Sequence, residues 1–299
     1  MKEIICLDQR YSTTRRVRQV ASEVVLEEIN AEQKLLGSLR EGLLLPEDEG
    51  RQGEGGLRVQ SYFKKTELDK PLITVVTVVY NGAAKLEETI LSIVEQRYDN
   101  VEYILIDGGS TDDTVDIIKK YDHLIDYWVS EKDGGIYDAM NKGIGLATGS
   151  WIIFINAADR FYSATTLSDF IVSVKSADSF PDAVYGSVVE KVKQGDLMIK
   201  KSRPSWWVFY GLPASHQSTF FARSSIHMGY NLKYELAADY ELFARIYKNR
   251  GSFLRLNLPI AFFDTGGASS RRASCGRVEY RNIRRDVLSI NAALSILIE

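Results

Sequence analysis

The feature that most constrains this chain is an alternation that begins at Pro71, where short runs dense in β-branched residues are each followed by a helical segment. The runs are ITVVTVV, VEYILI, IDYWVS and WIIFI, and the segments between them predict helices over residues 85–95, from Asp112 onward, and over residues 135–147. Apolar runs without in–out alternation belong to strands covered on both faces. Strands alternating with helices predict βαβ units around a mostly parallel sheet. The expected fold is therefore an α/β nucleotide-binding architecture with helices flanking a central sheet. Ligands of such sheets sit beyond the carboxyl ends of the strands, so the residues that follow each run carry the functional information.

Those residues are Tyr80-Asn81-Gly82, Asp107-Gly108-Gly109-Ser110, Glu131-Lys132-Asp133-Gly134-Gly135 and Asn156-Ala157-Ala158-Asp159. Ordinary βα turns and helix N-caps use the same residue types, so any one of these ends is uninformative. Four at one edge predict a site. Asp107, at the end of a buried strand, is placed to accept an N–H of a pyrimidine base, while Gly108 and Gly109 let a ligand approach the backbone. Tyr80 is placed to stack on that base. Asp159 is placed to hold a divalent cation that neutralises a diphosphate. Ser110 to Asp113 read as the N-cap of the next helix, without a catalytic role. In the helix after Gly135, Ile136, Ala139, Met140, Gly143, Ile144 and Ala147 recur at i, i+3, i+4 spacing and are expected to face the sheet. Tyr137 and Asn141, one turn apart on the flank, either border the site or cap a packed helix.

With 299 residues, 45% of them hydrophobic, the chain can bury the core of one large domain plus a smaller appendage. A formal net charge of -3 argues against a general nucleic-acid binder, although Arg271, Arg272, Arg277, Arg281, Arg284 and Arg285 gather basic charge near the C-terminus. Cys6 and Cys275 are the only cysteines, which suggests neither a disulfide framework nor a zinc site and fits a reducing, cytoplasmic setting. No apolar run reaches membrane-spanning length. Residues 20–45 read as amphipathic helical stretches interrupted near Gly37, and PEDEGRQGEGG reads as a mobile linker. Residues 1–57 are thus expected to form a helical N-terminal appendage and linker.

The ordered segments TVVTVVYNG, LIDGGSTDDT, SEKDGGIYDAMNKGIGLATGSWIIFINAADRF, ASHQSTFF and AADYELFAR resemble the family 2 glycosyltransferases of the GT-A fold, and among them bacterial members that build surface polysaccharides. The resemblance covers Pro71 to about Gly267. It implies a transferase domain over residues 58–267, followed by a loop and C-terminal helix over 268–299. It also implies a nucleoside-diphosphate sugar as donor, UDP-linked by family habit, with Mn2+ or Mg2+ as cofactor and a saccharide or lipid-linked saccharide as acceptor. Carried over by residue, Tyr80, Asp107 and Asp133 would contact the nucleoside, His216 the diphosphate or cation, and Asp159 the metal. Asp239 would be the catalytic base of an inverting reaction. Two positions depart from the family pattern: Gly108 stands where many members have a second Asp, and Ala158 where many have the first residue of an acidic pair.

Asp239 also stands out from spacing alone. On a helix it shares a face with Leu242, Phe243 and Ile246, whereas Glu241 and Arg245 pair at i, i+4 on another side. A carboxylate on an inward face is costly without a purpose, unless it is simply a helix cap. His216 reads equally as a hydrogen-bonded structural residue. Trp206 and Trp207 read as an acceptor platform or, more simply, as core. FFDTGGASSRRASCGR reads as a mobile segment that closes over the diphosphate or as a solvated linker. RVEYRNIRRDVLSINAALSILIE either rests peripherally on an anionic membrane or packs on the domain. Two further readings compete: a sugar-nucleotide-binding protein weakened in catalysis by Ala158, and a nucleotidyltransferase. The second requires a basic, Gly-rich triphosphate loop after the first strand, which Tyr80-Asn81-Gly82-Ala83-Ala84 does not supply.

Overall fold

A computed structural model of the protein describes residues 4–33, 42–191, 196–264 and 273–291. The strands are β1 (Arg18–Gln19), β2 (Gly53–Gly55), β3 (Tyr62–Phe63), β4 (Ile73–Val79), β5 (Val101–Asp107), β6 (Tyr127–Ser130), β7 (Trp151–Phe154), β8 (Arg160–Phe161), β9 (Ala183–Lys191), β10 (Leu197–Lys200), β11 (Thr219–Ala222) and β12 (Phe253–Phe263). The helices are α1 (Ser22–Gln33), α2 (Ala83–Val94), α3 (Thr114–Lys120), α4 (Ile136–Leu146), α5 (Thr166–Lys175), α6 (Ala238–Lys248) and α7 (Ala273–Asp286). The four apolar runs are β4 to β7, and the three helices expected between them are α2, α3 and α4.

The main sheet has the order β2-β6-β5-β4-β7-β11-β9-β12-β8, with β10 paired to β9. Its centre, β6-β5-β4-β7, is parallel. The chain starts at β4, steps outward to β5 and β6, then crosses back to β7 on the other side of β4. That reversal opens a crevice beyond the ends of β4 and β7, the place where such sheets bind ligands. All seven residues of β4 and of β5 are buried, because both sheet faces are covered. Val76 and Val78 face a core shared with Met140 and Ile144 of α4 and Leu242, Phe243 and Ile246 of α6. Ile73 and Val75 face a core with Ile90 and Ile93 of α2, Ile118 of α3 and Phe170 of α5. A Cβ on Gly143 would collide with Val76, so glycine there lets α4 approach the sheet closely. Ile136, the first residue of α4, departs from the expected inward face and is 45% exposed.

The acidic, glycine-rich run expected to be a linker is instead partly sheet. β2 pairs antiparallel with β6, Gly53 opposite Ser130 and Gly55 opposite Trp128. The glycines supply fit rather than freedom: a Cβ on Gly53 would lie 3.1 Å from the Trp128 ring, and one on Gly55 would clash with it. Two buried ion pairs join the adjoining segment to the sheet. Arg58 meets Glu102 at 2.5 Å and Lys64 meets Asp126 at 2.5 Å, all four side chains being 3% exposed or less. Arg58 also donates to the carbonyls of Leu43 and Leu146. Helix α1 is present, but the interruption expected near Gly37 lies outside the described residues.

At the other terminus α7 packs on the domain. Ile283 is fully buried, Tyr280 stacks on Tyr240 with ring centroids 4.3 Å apart, and Arg284 donates to the Tyr210 carbonyl at 2.6 Å. Glu279 accepts the backbone N–H groups of Glu235, Leu236 and Ala237 at 2.8–3.0 Å, which fixes the approach to α6. The segment expected to be mobile, residues 262–277, is strand in β12 up to Phe263 and helix in α7 from Ala273; its middle, 265–272, and the apolar tail over 292–299 lie outside the described residues.

Candidate active site

The parallel strands deliver their terminal residues to one edge. Asp107, the last residue of β5, is fully buried. Its carboxylate accepts Ser110 N–H at 3.0 Å and Ser130 Oγ–H at 2.6 Å, and it is also bonded by the Ser110 hydroxyl. Ser110 in turn accepts Asn81 N–H at 2.7 Å, so the ends of β4, β5 and β6 are tied together around Asp107. Tyr80, just past β4, is 66% exposed and offers its ring at the same edge. Asp112 accepts Ala83 N–H at 3.2 Å and Thr114 N–H at 3.1 Å, a capping role at the starts of α2 and α3.

Asp133 follows β6 and accepts Gly135 N–H at 2.8 Å. Burial pushes its carboxyl above the ordinary value, opposed by that N–H and by Lys142. A Cβ on Gly108 would collide with the Asp133 carboxylate. Glycine at 108 thus makes room for Asp133 over the end of β5, a physical reason for the first departure from the family pattern.

Asp159 lies beyond β7 and is 4% exposed. It accepts the Gln217 side-chain amide at 3.0 Å and Asp264 N–H at 3.0 Å. Burial outweighs these bonds and pushes its carboxyl up to about 6. Ala158 before it has φ +83, a left-handed backbone that L side chains adopt at a cost. The second departure therefore sits at a turn position with left-handed backbone. Among the described residues no group of three or more His, Cys, Asp or Glu side chains could hold a metal ion. One buried carboxylate, in its ionised form, instead fits a cation that brings its remaining ligands with a diphosphate and water.

Opposite this edge, Asp239 occupies the first turn of α6, its side chain 16% exposed. One carboxylate oxygen accepts Tyr240 N–H at 2.8 Å and lies 3.4 Å from the Tyr137 hydroxyl. The other lies 3.6 Å from His216 Nδ1. On its far side His216 Nε2 is 3.0 Å from the Asn156 amide nitrogen. Asn156 Oδ1, His216 Nδ1 and the Tyr230 hydroxyl are buried without hydrogen-bond partners within the protein, which is costly unless another molecule completes them.

His216 therefore stands beside the Asp239 carboxylate as well as one residue from Gln217, the Asp159 partner. Tyr137 borders Asp239. Asn141 does not: it braces the backbone of Tyr230, accepting its N–H at 2.6 Å and donating to its carbonyl at 2.9 Å. Leu242, Phe243 and Ile246 share the buried face of α6 as the spacing predicts. Glu241 is also buried at 4% exposure, held by Arg245 at 3.2 Å. Spacing missed Gln217 and Tyr280. Gln217 sat inside a recognised motif, whereas nothing local marks Tyr280.

The fold matches solved structures of glycosyltransferases. TarS of S. aureus, crystallised with UDP-GlcNAc, superposes with a TM-score of 0.60 at 16% identity over 76% of this chain and 70% of that one. The mannosyltransferase PcManGT of Pyrobaculum calidifontis, in complex with GDP-Man and Mn2+, superposes with a TM-score of 0.53 at 20% identity over 73% and 62%. At these identities the likeness defines the fold, the GT-A type. The sequence then defines the family: the glycosyl transferase family 2 model matches residues 74–250. A PGL/p-HBAD biosynthesis glycosyltransferase of Mycobacterium bovis is 30% identical over 215 residues, 67% of this chain and 79% of that protein. An uncharacterized glycosyltransferase of Mycobacterium tuberculosis is 31% identical over 207 residues, 68% and 78%. The chain belongs to glycosyl transferase family 2 and is a glycosyltransferase.

Proposed function

We propose that the protein is an inverting glycosyltransferase with Asp239 as general base, acting on a nucleoside-diphosphate sugar, UDP-linked, and an acceptor hydroxyl. The observation that carries this reading is the Asp239 carboxylate, held between Tyr137 and His216. His216, its neighbour, meets Phe154 of β7 edge-on with ring centroids 6.4 Å apart, and the next residue, Gln217, bonds Asp159 just beyond that strand. Asp239 takes the proton of the acceptor hydroxyl as its oxygen attacks the anomeric carbon. The bond to the diphosphate breaks with its electron pair leaving on the diphosphate, and the configuration inverts. Tyr80, Asp107 and Asp133 hold the nucleoside. His216, 3.6 Å from its carboxylate, orients the base. Asp159 would hold Mn2+ or Mg2+, which when bound supplies charge neutralisation to the departing diphosphate.

The acceptor is a saccharide or lipid-linked saccharide of polysaccharide or glycolipid biosynthesis, a reading supported by the glycolipid pathway in the name of the M. bovis relative. No helix among the described residues is long and apolar enough to cross a membrane, and the reaction is assigned to the cytoplasm, at the inner membrane face for a lipid-linked acceptor. The alternative, a donor-binding protein weakened by Ala158, is disfavoured by the presence of both Asp159 and Asp239; the φ of +83 at Ala158 does not explain alanine there, since Asp adopts that backbone more readily. The test is the anomeric configuration of the product, read by proton NMR coupling constants after incubation with UDP- and GDP-sugars and Mn2+. Inversion is expected. Retention would overturn the single-displacement role of Asp239.

A further inference from the structure

Trp206 and Trp207, expected to be core, are not both buried. The segment Ser205–Phe209 forms a 3-10 turn after Pro204, and Trp206 and Tyr210 are 51% and 50% exposed. Trp207 lies between them, its ring centroid 6.0 Å from Trp206 and 5.2 Å from Tyr210, and the Arg203 guanidinium sits over it at 5.0 Å. Three adjacent rings left partly in water are a concentrated apolar exposure on a soluble surface.

This cluster is fixed to the base-bearing helix. Tyr240, the residue after Asp239, donates its hydroxyl to the Val208 carbonyl in the middle of the turn at 2.6 Å. Tyr280 stacks on Tyr240, and Arg284 holds the Tyr210 carbonyl. Gly211, next to Tyr210, has Tyr280 and Trp207 as its flanking rings: a Cβ there would sit in ordinary contact, 3.8 Å and 4.0 Å from them. Asp239 is thus joined to the exposed rings through its neighbour Tyr240, which touches both the turn and Tyr280. The proposed nucleoside residues lie elsewhere, Asp107 at the end of β5 and Tyr80 and Asp133 just past β4 and β6.

We propose that Trp206, Trp207 and Tyr210 form the acceptor platform, binding the pyranose ring of an acceptor glycoside so that its hydroxyl reaches Asp239. The inference rests on the transferase reading of Asp239. A pyranose presents an apolar C–H face that packs on indole and phenol rings, while its rim hydroxyls remain available to Arg203 and water. Aromatic rings offer that contact with few rotatable bonds to immobilise.

The experiment measures donor and acceptor kinetics for wild type, Trp206→Ala, Trp206→Phe and Tyr210→Ala, with octyl glucoside, galactoside, rhamnoside and N-acetylglucosaminide as acceptors. Each Ala variant is expected to raise acceptor KM roughly 10-fold with donor KM unchanged, and Trp206→Phe to recover most of the loss. Unchanged acceptor KM in both Ala variants overturns the platform. So does a wild type that hydrolyses donor but transfers to none of the glycosides, or variants that lose binding to phosphatidylglycerol vesicles while keeping acceptor KM. A wild type that neither binds nor turns over any nucleotide sugar removes the transferase reading itself, a separate result.

Discussion

Burial holds the Asp159 carboxyl at about 6 against an ordinary value of 3.8, and the sign of that shift has consequences. Between those values the folded protein keeps a proton that the unfolded chain has released. The stability Asp159 contributes is therefore full below its unfolded value and lost as pH rises through about 6. Once it is ionised without a cation, the cost is on the order of 3 kcal/mol. Asp159→Asn cannot ionise, so its melting temperature relative to wild type should be higher at pH 7.5 than at pH 5 by several degrees in metal-free buffer. A constant offset across that range would contradict the shift. Asp159 and Asp239 were both legible in the sequence, one as the residue past a buried strand and the other as an acid on an apolar helix face. What spacing could not provide was their company. Gln217 against Asp159, and His216 against Asp239, are contacts between residues far apart in the chain, fixed only when β7, the turn at His216 and α6 come together.

At the scale of elements, β2 connects the N-terminal segment to β6 and so to the proposed nucleoside edge. Arg51 bonds Glu131 at 2.9 Å, and Glu131 also bonds Lys142 of α4 at 2.7 Å. Gln52 donates its N–H to the Ser130 carbonyl at 2.7 Å, and Ser130 is itself a donor to Asp107. Residues outside the family match thus brace the stretch that carries Asp133. Arg51→Ala should raise the Kd for UDP or GDP roughly 5-fold while kcat changes less than about 2-fold, the pattern of lost ground-state binding; calorimetry and steady-state kinetics provide the two values. An unchanged Kd would show that β2 is only an edge strand. This element escaped sequence reading because GEG has neither period nor β-propensity; its glycines are selected by the Trp128 ring they pack on.

Across the whole molecule, the parallel centre of the sheet could be read from four apolar runs, whereas the mixed half could not: there β11 runs antiparallel to β9 while β12 runs parallel to it. Those strands are joined by long connections and break their apolar texture with Gly186, Arg255 and Pro259. The buried pairs Arg58–Glu102 and Lys64–Asp126 were equally hidden, since charged residues in sequence read as surface. Glu102 also accepts Thr74 Oγ–H at 2.6 Å and Thr148 N–H at 2.8 Å, at the sheet end opposite the site. Arg58→Ala would leave that carboxylate buried without its counter-charge and should destabilise the fold by about 3–5 kcal/mol in urea denaturation. A loss below about 1 kcal/mol would mean that residues 42–66 are held by other contacts. The architecture converges on one carboxylate, so the most direct measurement is kcat for Asp239→Asn beside the nucleotide Kd of the same variant. If Asp239 is the base, kcat falls on the order of 1000-fold with Kd nearly unchanged; a variant that keeps its kcat would contradict that assignment.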